Sequence, residues 1–369
     1  MAVKILHTSD LHLGNGFQGL DSTKRKDRRD DLLRVFRKIV QTAKEKKVNA
    51  VLIVGDLFDR SNPPTEVVDR AIKILEELED LPVIIVPGNH DPATKESVYH
   101  TKKFPENLTL ITRNKFKEYE FPDFILYAAA YDQRNPAIHP LKNLKISRTD
   151  KPVIVAVHGS YLHSGIKWNE NYETEDYWPI EEKEISKLKN ASYIALGHYH
   201  NFYLGDSAIC FCYPGTPEGL SFNERGERFV AVVNIDDTTT VEKISLNEKR
   251  YEILNVDCTK ITEEEEIEKL IEEKADENTI LQISLKGVLS PDVKLDSSDK
   301  LKERFEDQFF HLDVTDKTHL PEINFPSHTV KGIYVRMLEQ RRKKAKTERE
   351  KRIINQAIRY GIASLDDYL

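Results

Sequence analysis

The sequence contains little cysteine and no long apolar run. Its 369 residues include three cysteines, Cys210, Cys212 and Cys258, which cannot all pair with one another and form no Cys-x-x-Cys motif. Neither a disulfide framework nor a cysteine-bound structural zinc is therefore indicated. No stretch of about 18 apolar residues occurs, so no membrane-spanning helix is expected. The amino terminus lacks a basic segment followed by an apolar one, and we expect a cytoplasmic protein with no membrane partner.

The charge of the chain is distributed in blocks. The formal net charge is −7, which by itself argues mildly against nucleic acid as a partner. Residues 24–29 nevertheless hold five basic side chains in six, and residues 341–352 hold eight basic against two acidic ones. Residues 262–278 hold nine acidic against two basic ones. Local patches matter more for DNA binding than the sum, although each block also fits a solvated helix face.

Strands and amphipathic helices alternate over the first part of the chain. Strands are predicted at residues 4–9, 50–54 and 83–86, and helices at 30–46 and 65–79. This order predicts a mainly parallel sheet that is covered on both faces. The later elements predicted before residue 245 are strands at 124–130, 153–157, 191–196, 208–213 and 229–235, the last two antiparallel, and a short helix at 181–190.

The pattern changes near residue 245, and the length also predicts more than one domain. Strands at 251–256, 280–285 and 309–314 then alternate with helices at 263–274 and 298–308. We therefore expect four parts, which are a large α/β domain at 1–245, a small α+β domain at 250–315, a linker at 316–329 and a helical segment at 330–369. The last part contains the basic block.

Five of the predicted strands end in side chains that can bind a metal ion. In an open α/β sheet, ligands bind at the carboxyl ends of the strands, so we expect these side chains to lie along one edge of one sheet. Each motif alone fits an ordinary polar turn or a surface histidine, but five independent coincidences are hard to dismiss. The side chains are Asp10 and His12, Asp56, Asn89 and His90, His158, and His198 and His200.

Seven of these eight side chains form the candidate metal-ligand set. They are Asp10, His12, Asp56, Asn89, His158, His198 and His200. Two carboxylates, one amide and four imidazoles are too rich in nitrogen for Mg²⁺ or Ca²⁺ and suit Mn²⁺, Fe²⁺ or Zn²⁺. Seven ligands suit two ions about 3.5–4 Å apart that share one carboxylate and together clamp a phosphoryl group. Asp56 is the best bridging candidate, because its strand is expected to lie between the first and the third.

His90 follows a ligand in the sequence but is not needed as one. We therefore expect it to protonate or stabilise the leaving oxygen of a phosphoryl substrate. The alternative is that His90 orients another ligand from outside the metal sphere. Asp91, the next residue, is expected to orient or cap the loop locally.

Together these residues resemble the motif series of the calcineurin-like metallophosphoesterases. The motifs are Asp10-x-His12, Gly55-Asp56-x-x-Asp59, Gly88-Asn89-His90-Asp91, His158 and Gly197-His198-x-His200. Finer features resemble the SbcD nuclease family, the bacterial counterpart of the archaeal and eukaryotic double-strand-break repair nucleases. The resemblance implies an α/β fold, a metallophosphoesterase β-sandwich with flanking helices. It also implies that the α+β unit is a DNA-capping domain and that a C-terminal helical segment follows.

The same resemblance implies an activity and partners. The activity would be that of a nuclease with two Mn²⁺ ions, Fe²⁺ or other divalent ions being alternatives. It would act as an exonuclease on double-stranded DNA ends and an endonuclease on single strands or hairpins. The implied partners are DNA, a second copy in a homodimer, and an SbcC-type ABC ATPase with a coiled coil, bound by residues 330–369. Archaeal and eukaryotic relatives carry histidine where this chain has Asp59, so no proton-relay role transfers to that position.

Two other classes of function stay open at this point. One is a phosphodiesterase or a protein phosphatase of the same superfamily, and Asp59-Arg60 resembles the Asp-Arg pair of the phosphatases. Those phosphatases continue Gly-Asn-His with glutamate, whereas this chain has Asp91. The other is a non-catalytic scaffold with the same fold. A scaffold would be expected to have lost ligands, and none is lost here.

Overall fold

Two six-stranded sheets form most of the first of two units, Met1–Lys249, and a three-stranded sheet and two long helices form most of the second, Arg250–Leu369. The computed structural model describes residues 2–162, 177–290, 293, 295–319, 325–326 and 328–366. The helices are α1 (Ser22–Glu45), α2 (Thr65–Glu76), α3 (Val98–Thr101), α4 (Glu182–Ile185), α5 (Glu264–Glu272), α6 (Ser298–Phe305), α7 (Val330–Lys344) and α8 (Glu348–Asp366). The strands are β1 (Val3–Thr8), β2 (Ala50–Val54), β3 (Val83–Val86), β4 (Leu108–Leu110), β5 (Lys117–Glu120), β6 (Ile125–Ala129), β7 (Val153–His158), β8 (Tyr161–Leu162), β9 (Ile180–Glu181), β10 (Tyr193–Gly197), β11 (Tyr203–Asp206), β12 (Cys210–Tyr213), β13 (Phe229–Ile235), β14 (Thr239–Ser245), β15 (Arg250–Asp257), β16 (Asp276–Lys286) and β17 (Phe309–Asp316).

The first sheet has the strand order β14-β13-β1-β2-β3-β4. Strands β1 to β4 are mutually parallel, while β13 is antiparallel to both β1 and β14. Strand β2 therefore lies between β1 and β3, as the sequence predicts. Strands β1 to β3 are buried on both faces because helices α1 and α2 pack on one face and the second sheet packs on the other.

The second sheet has the order β11-β12-β10-β7-β6-β5. Its central strands β6, β7, β10 and β12 are parallel, and β12 is antiparallel to β11. Alternate residues of the two sheets meet in a shared core, for example Ile5 and Leu52 of the first sheet with Ile154 and Ala195 of the second. The intervening residues of the first sheet, such as Leu6 and Ile53, instead pack against the helices.

This arrangement confirms the β-sandwich with flanking helices and corrects the placement of the strand ends on one sheet. Strands β1, β2 and β3 belong to the first sheet, but β7 and β10 belong to the second. All five are mostly apolar and are buried on both faces, except at Lys4 of β1. Nothing in such strands distinguishes one sheet from the other, so the sequence pattern wrongly predicts a single sheet.

Helix α1 begins at Ser22 rather than at residue 30. Its first turns carry the basic block at residues 24–29, which has no apolar stripe to indicate a helix. Asp21 caps it, since its carboxylate accepts hydrogen bonds from the backbone nitrogens of Thr23 and Lys24. Arg28 lies in this block but is fully buried and pairs with Asp31 and Glu218. The block is therefore not a uniformly solvated helix face.

The second unit begins with a parallel sheet in the order β15-β16-β17, with α5 and α6 as crossover helices. Its apolar core draws on all three strands and both helices. This order is the one that the sequence predicts for residues 251–314. Helices α7 and α8 follow, and they pack together so that the Tyr334 hydroxyl donates to the Ala357 carbonyl at 2.7 Å. Much of the predicted linker, residues 320–324 and 327, lies outside the described residues.

In the described ranges, none of the helices has the length and apolar character to span a bilayer.

Candidate metal centre

All eight side chains singled out in the sequence come together in the first unit. Asp10 and His12 directly follow β1, Asp56 follows β2, and Asn89 and His90 follow β3. From the second sheet, His158 ends β7, and His198 and His200 directly follow β10. The site therefore lies at the carboxyl ends of strands from both sheets, where the two sheets meet.

The loops after β1 and β2 adopt a backbone conformation that residues with a side chain rarely adopt. Asp10, His12 and Asp56 have φ values of 53°, 47° and 51°, in the left-handed region. Such conformations persist only where the surrounding structure enforces them, and they concentrate at functional sites. Backbone bonds supply that enforcement, because the nitrogens of Asp10 and His12 donate to the carbonyls of Gly55 and Asp56 at 3.0 and 2.9 Å.

The donor atoms form two groups on either side of Asp56. In the first group, which we name the Asp10 group (Asp10, His12 and His200), the two Nε2 atoms lie 3.2 Å apart. In the second, the Asn89 group (Asn89, His158 and His198), Asn89 Oδ1 lies 2.8 Å from His158 Nε2 and 3.2 Å from His198 Nδ1.

Asp56 is the side chain between the two groups. Its Oδ2 atom lies 3.8 Å from His12 Nε2 and 3.4 Å from His158 Nε2. Burial would raise the pKa of this carboxyl group, but the facing imidazoles of His158 and His12 outweigh burial and lower it to about 2. An ionised carboxylate with one oxygen, Oδ2, facing both groups has the position and the charge that a bridging ligand needs.

The outer ring nitrogens show which nitrogen of each imidazole is free to bind a cation. His200 Nδ1 faces Glu224 Oε1 at 2.8 Å, His12 Nδ1 faces Asp59 Oδ1 at 3.3 Å, and His158 Nδ1 faces the Val54 carbonyl at 3.2 Å. These oxygens can only accept, so in the neutral imidazole each Nδ1 carries the proton and each Nε2 presents a lone pair to the cluster. Inward lone pairs beside carboxylate and amide oxygens fit two divalent metal ions.

Asp91 holds the loops that follow β2 and β3. Its fully buried carboxyl group accepts from the backbone nitrogens of Gly88, Asp56 and Phe58 at 2.8, 3.2 and 3.0 Å, and from the Tyr99 hydroxyl at 2.6 Å. Burial and the nearby charge of Asp56 raise its pKa to about 7. These contacts agree with the expectation that Asp91 orients the loop locally. They also extend to the loop after β2 as well as its own loop after β3.

Glycines permit the close approach of the two sheets at this edge. A Cβ atom on Gly197 of the second sheet would overlap the carbonyl oxygen of Val54 in the first. A Cβ on Gly55 would overlap the ring of His158, and Gly55 also has a φ of 88°. The glycines that precede Asp56 and His198 are therefore required by the distance between the sheets.

His90 lies beside the cluster with its side chain exposed to solvent. Its ring contacts the His12 ring edge-on, with 4.7 Å between the centroids, and its backbone nitrogen donates to Asp56 Oδ1 at 2.9 Å. Its Nδ1 lies 3.3 Å from the Asp59 carbonyl oxygen. A donor atom of His90 also lies within 4.8 Å of donors of His12 and Asp56, so its position fits either a substrate contact or a ligand.

Sequence reasoning missed Glu224 and left the role of Asp59 open. Glu224 lies in the connection between β12 and β13, where no strand end or helical spacing indicates a functional residue. Its meeting with His200 depends on a turn at Gly215, at which a Cβ would overlap the His200 carbonyl. Asp59 lies in a recognised motif, but its contact with His12 could not be derived from spacing.

Several known proteins are similar to this chain in sequence. Residues 3–217 match the model of the family described as calcineurin-like phosphoesterase. The DNA double-strand break repair protein Mre11 of Sulfolobus acidocaldarius is 29% identical over 307 residues, which cover 78% of this chain and 76% of that protein. The protein of the same name from Sulfurisphaera tokodaii is 28% identical over 310 residues, covering 78% and 74%. The SbcD component of the nuclease SbcCD of Staphylococcus epidermidis is 21% identical over 359 residues, covering 91% and 84%.

Proposed function

The chain belongs to the calcineurin-like phosphoesterase family, and from this premise we propose that it is a two-metal DNA nuclease that acts in double-strand-break repair. It is a metal-dependent phosphodiesterase by family. The observation that carries the proposal is the cluster of eight side chains with Asp56 between the Asp10 group and the Asn89 group. The names of the relatives, a double-strand break repair protein and a nuclease component, support DNA as the substrate.

The proposed ligand assignment follows the two groups. Asp10, His12 and His200 would hold one ion, Asn89, His158 and His198 the other, and Asp56 both. Two ions of this kind polarise a phosphodiester and supply a hydroxide nucleophile at neutral pH. The mixture of oxygen and imidazole donors suits Mn²⁺, Fe²⁺ or Zn²⁺, and the resemblance to the SbcD nucleases leads us to propose Mn²⁺, with Fe²⁺ or another divalent ion as the alternative.

His90 is the proposed catalytic side chain. Its Nδ1 faces the Asp59 carbonyl, which can only accept, so Nδ1 carries a proton and Nε2 is the nitrogen left for the substrate. In the protonated ring, Nε2–H can donate to the leaving oxygen as the phosphodiester bond breaks. The exposure of His90 at the cluster edge gives DNA access to it.

The second unit supplies the proposed partner contacts. Its α+β part, residues 250–315, would be the DNA-capping domain that follows the nuclease domain at 1–245. Helices α7 and α8 would bind an SbcC-type ABC ATPase with a coiled coil. Large apolar side chains are exposed there, at Val330, Ile333, Met337 and Ile353, and the last turn of α7 is basic. We also propose that the protein forms a homodimer and acts in the cytoplasm.

A nuclease assay tests the activity. Purified protein with Mn²⁺ is expected to cleave a labelled DNA hairpin and to degrade a blunt duplex from its ends, and both activities are expected to disappear with a chelator. Turnover of a simple phosphomonoester without cleavage of either DNA would contradict the nuclease and favour a phosphatase of the same family.

The His90→Ser variant tests the catalytic assignment. It is expected to retain two metal ions per chain, measured by elemental analysis, while DNA cleavage falls by about 10²–10⁴-fold, the usual size of acid catalysis. His100→Ala removes an exposed histidine of α3 and serves as the matched control. Loss of one ion in His90→Ser would make His90 a ligand instead.

Charge reversal at the end of α7 tests the partner surface. Replacing Arg341, Arg342 and Lys343 by glutamate is expected to weaken binding of the coiled-coil ATPase or of DNA and to leave metal content unchanged. Reversal of three exposed lysines in the first unit, Lys142, Lys187 and Lys189, is the matched control. Equal loss of binding in both variants would show a nonspecific effect of charge.

A further inference from the structure

The two groups of metal donors differ in what supports their imidazoles. Both histidines of the Asp10 group face a carboxylate with their outer nitrogen, His200 facing Glu224 and His12 facing Asp59. In the Asn89 group, His158 faces the neutral carbonyl of Val54. Across the ranges that the structure describes, no carboxylate contacts Nδ1 of His158 or Nε2 of His198, the ring nitrogens that do not face Asn89.

Glu224 is held firmly in this position. Its side chain is 4% exposed. Its Oε1 atom faces His200, while Oε2 accepts from the Leu220 backbone nitrogen at 2.8 Å and from the Thr216 hydroxyl at 3.2 Å. Arg228 in turn donates to the Thr216 hydroxyl at 2.9 Å. A buried carboxylate with this many fixed partners keeps the His200 ring in one orientation.

Asp59 supports His12 less tightly. Its Oδ1 atom lies 3.3 Å from His12 Nδ1 and accepts from the Asn15 side chain at 2.8 Å. Asn15 is itself fixed, because its Oδ1 accepts from the Phe17 nitrogen at 2.9 Å and its backbone nitrogen donates to the His12 carbonyl at 3.0 Å. The Asp59 side chain is 26% exposed, so water weakens its charge at His12.

We propose that Glu224, with Asp59 in a lesser role, is a positioning residue that makes the Asp10 group the tighter of the two metal positions. A carboxylate behind a ligating imidazole fixes the ring and makes its inner nitrogen more basic, and loss of such a partner costs about 10–100-fold in metal affinity. A backbone carbonyl fixes the ring but adds no net charge. The two ions therefore bind in sequence, the first at the Asp10 group. This inference rests on the proposed two-metal function.

Stepwise Mn²⁺ binding to the metal-free full-length protein tests the inference. Calorimetric or electron-paramagnetic-resonance titration of the wild type is expected to show a tight and a weak step. In Glu224→Gln the tight step is expected to weaken by about 10–100-fold, and the weak step to stay within about 3-fold. Asp59→Asn is expected to shift the same step by less. Both shifts are read without any assay of activity.

The matched control is Glu218→Gln. Glu218 is also a buried glutamate of the β12–β13 connection, but it pairs with Arg28 and not with a ligand. This variant is expected to lower the thermal unfolding midpoint and leave both binding steps unchanged. An equal effect of Glu218→Gln and Glu224→Gln on the tight step would overturn the positioning role.

Two variants of the proposed ligands show which Mn²⁺-binding step belongs to the Asp10 group and which to the Asn89 group. With His158→Ala as the background, Glu224→Gln is expected to weaken the remaining ion, because that ion is held by the Asp10 group. With His200→Ala as the background, Glu224→Gln is expected to have no effect. Equal weakening of both steps, or no change in either, overturns the inference and leaves the two-metal nuclease standing. A wild type that binds fewer than two ions overturns both.

Discussion

The two sheets of the first unit have similar strands but contribute different chemistry to the site. The loops of the first sheet provide every oxygen donor, Asp10, Asp56 and Asn89, together with His12 and His90. The second sheet provides imidazoles alone, at His158, His198 and His200. Neither sheet holds a complete donor set, so a two-metal centre depends on how the sheets pack. Experiments that disturb one sheet, the other, or the packing between them should therefore have different effects.

The largest effect is expected at the side chain that joins the two groups. Asp56→Asn removes the negative charge that faces both groups, so the binding of both ions should be weakened. DNA cleavage is expected to fall by about 10³-fold or more, or ~4 kcal/mol of transition-state stabilisation. The measurements are metal content and cleavage rate. Asp69→Asn, at an exposed carboxylate of α2, is the control, and loss of only one ion would contradict the bridge.

The next effect is expected at Gly197, where the two sheets approach each other closely. In Gly197→Ala, the new methyl group would overlap the Val54 carbonyl of the opposite sheet, so the sheets must separate. The free energy of unfolding is expected to fall by about 2–3 kcal/mol, and metal affinity should fall with it. Denaturant unfolding measures the first quantity. Gly16→Ala adds its methyl group in open space and should leave stability nearly unchanged; similar results for both would contradict the packing argument.

A smaller effect is expected from removing one buried hydroxyl, and it should differ between the loops of the first sheet and those of the second. Tyr99→Phe removes the hydroxyl that donates to Asp91 at 2.6 Å, and the free energy of unfolding is expected to fall by about 2 kcal/mol. Metal affinity should fall modestly, because Asp91 also holds the Asp56 loop. Tyr213→Phe removes the hydroxyl that donates to Gly159 at 2.7 Å in the second sheet. Tyr213→Phe should lower the free energy of unfolding but leave metal affinity unchanged, because this hydroxyl does not hold the Asp56 loop.

The smallest effect concerns a histidine between the sheets. His7 of β1 is fully buried and contacts the Tyr193 hydroxyl of β10 at 2.8 Å, and burial lowers its pKa from 6.5 to about 3. Below pH 6.5 the unfolded chain takes up a proton at His7 that the folded chain does not. The contribution of the neutral His7 to the free energy of unfolding is therefore complete above pH 6.5 and is lost as the pH falls toward 3. Between pH 7.5 and 5.5 the loss is about 1.4 kcal/mol.

Denaturant unfolding at several pH values measures this contribution. In His7→Gln the part of the pH dependence that belongs to His7 should disappear, whereas His100→Gln, at an exposed site, should keep it. An unchanged slope in His7→Gln would show that His7 does not titrate in this way.

Much of the candidate site follows from the sequence because strand ends can be recognised locally. Each ligand-type residue, such as Asp56 or His158, stands directly at the end of an apolar run, and the parallel strands bring these ends together. The sheet to which each strand belongs does not follow, since β1 to β3 and the pair β7 and β10 have the same buried pattern. Glu224 could not be found either, because its contact with His200 depends on a turn and not on a periodic pattern.

The span of the donor set also has a consequence during synthesis of the chain. The first proposed ligand is Asp10 and the last is His200, and the supporting carboxylate comes still later, at Glu224. No nascent fragment that ends before β10 contains the complete proposed ligand set of either group. Under the proposed function, a ribosome therefore makes this enzyme as an inert chain until most of its first unit has emerged, and truncated products cannot cut the genome of the cell that makes them.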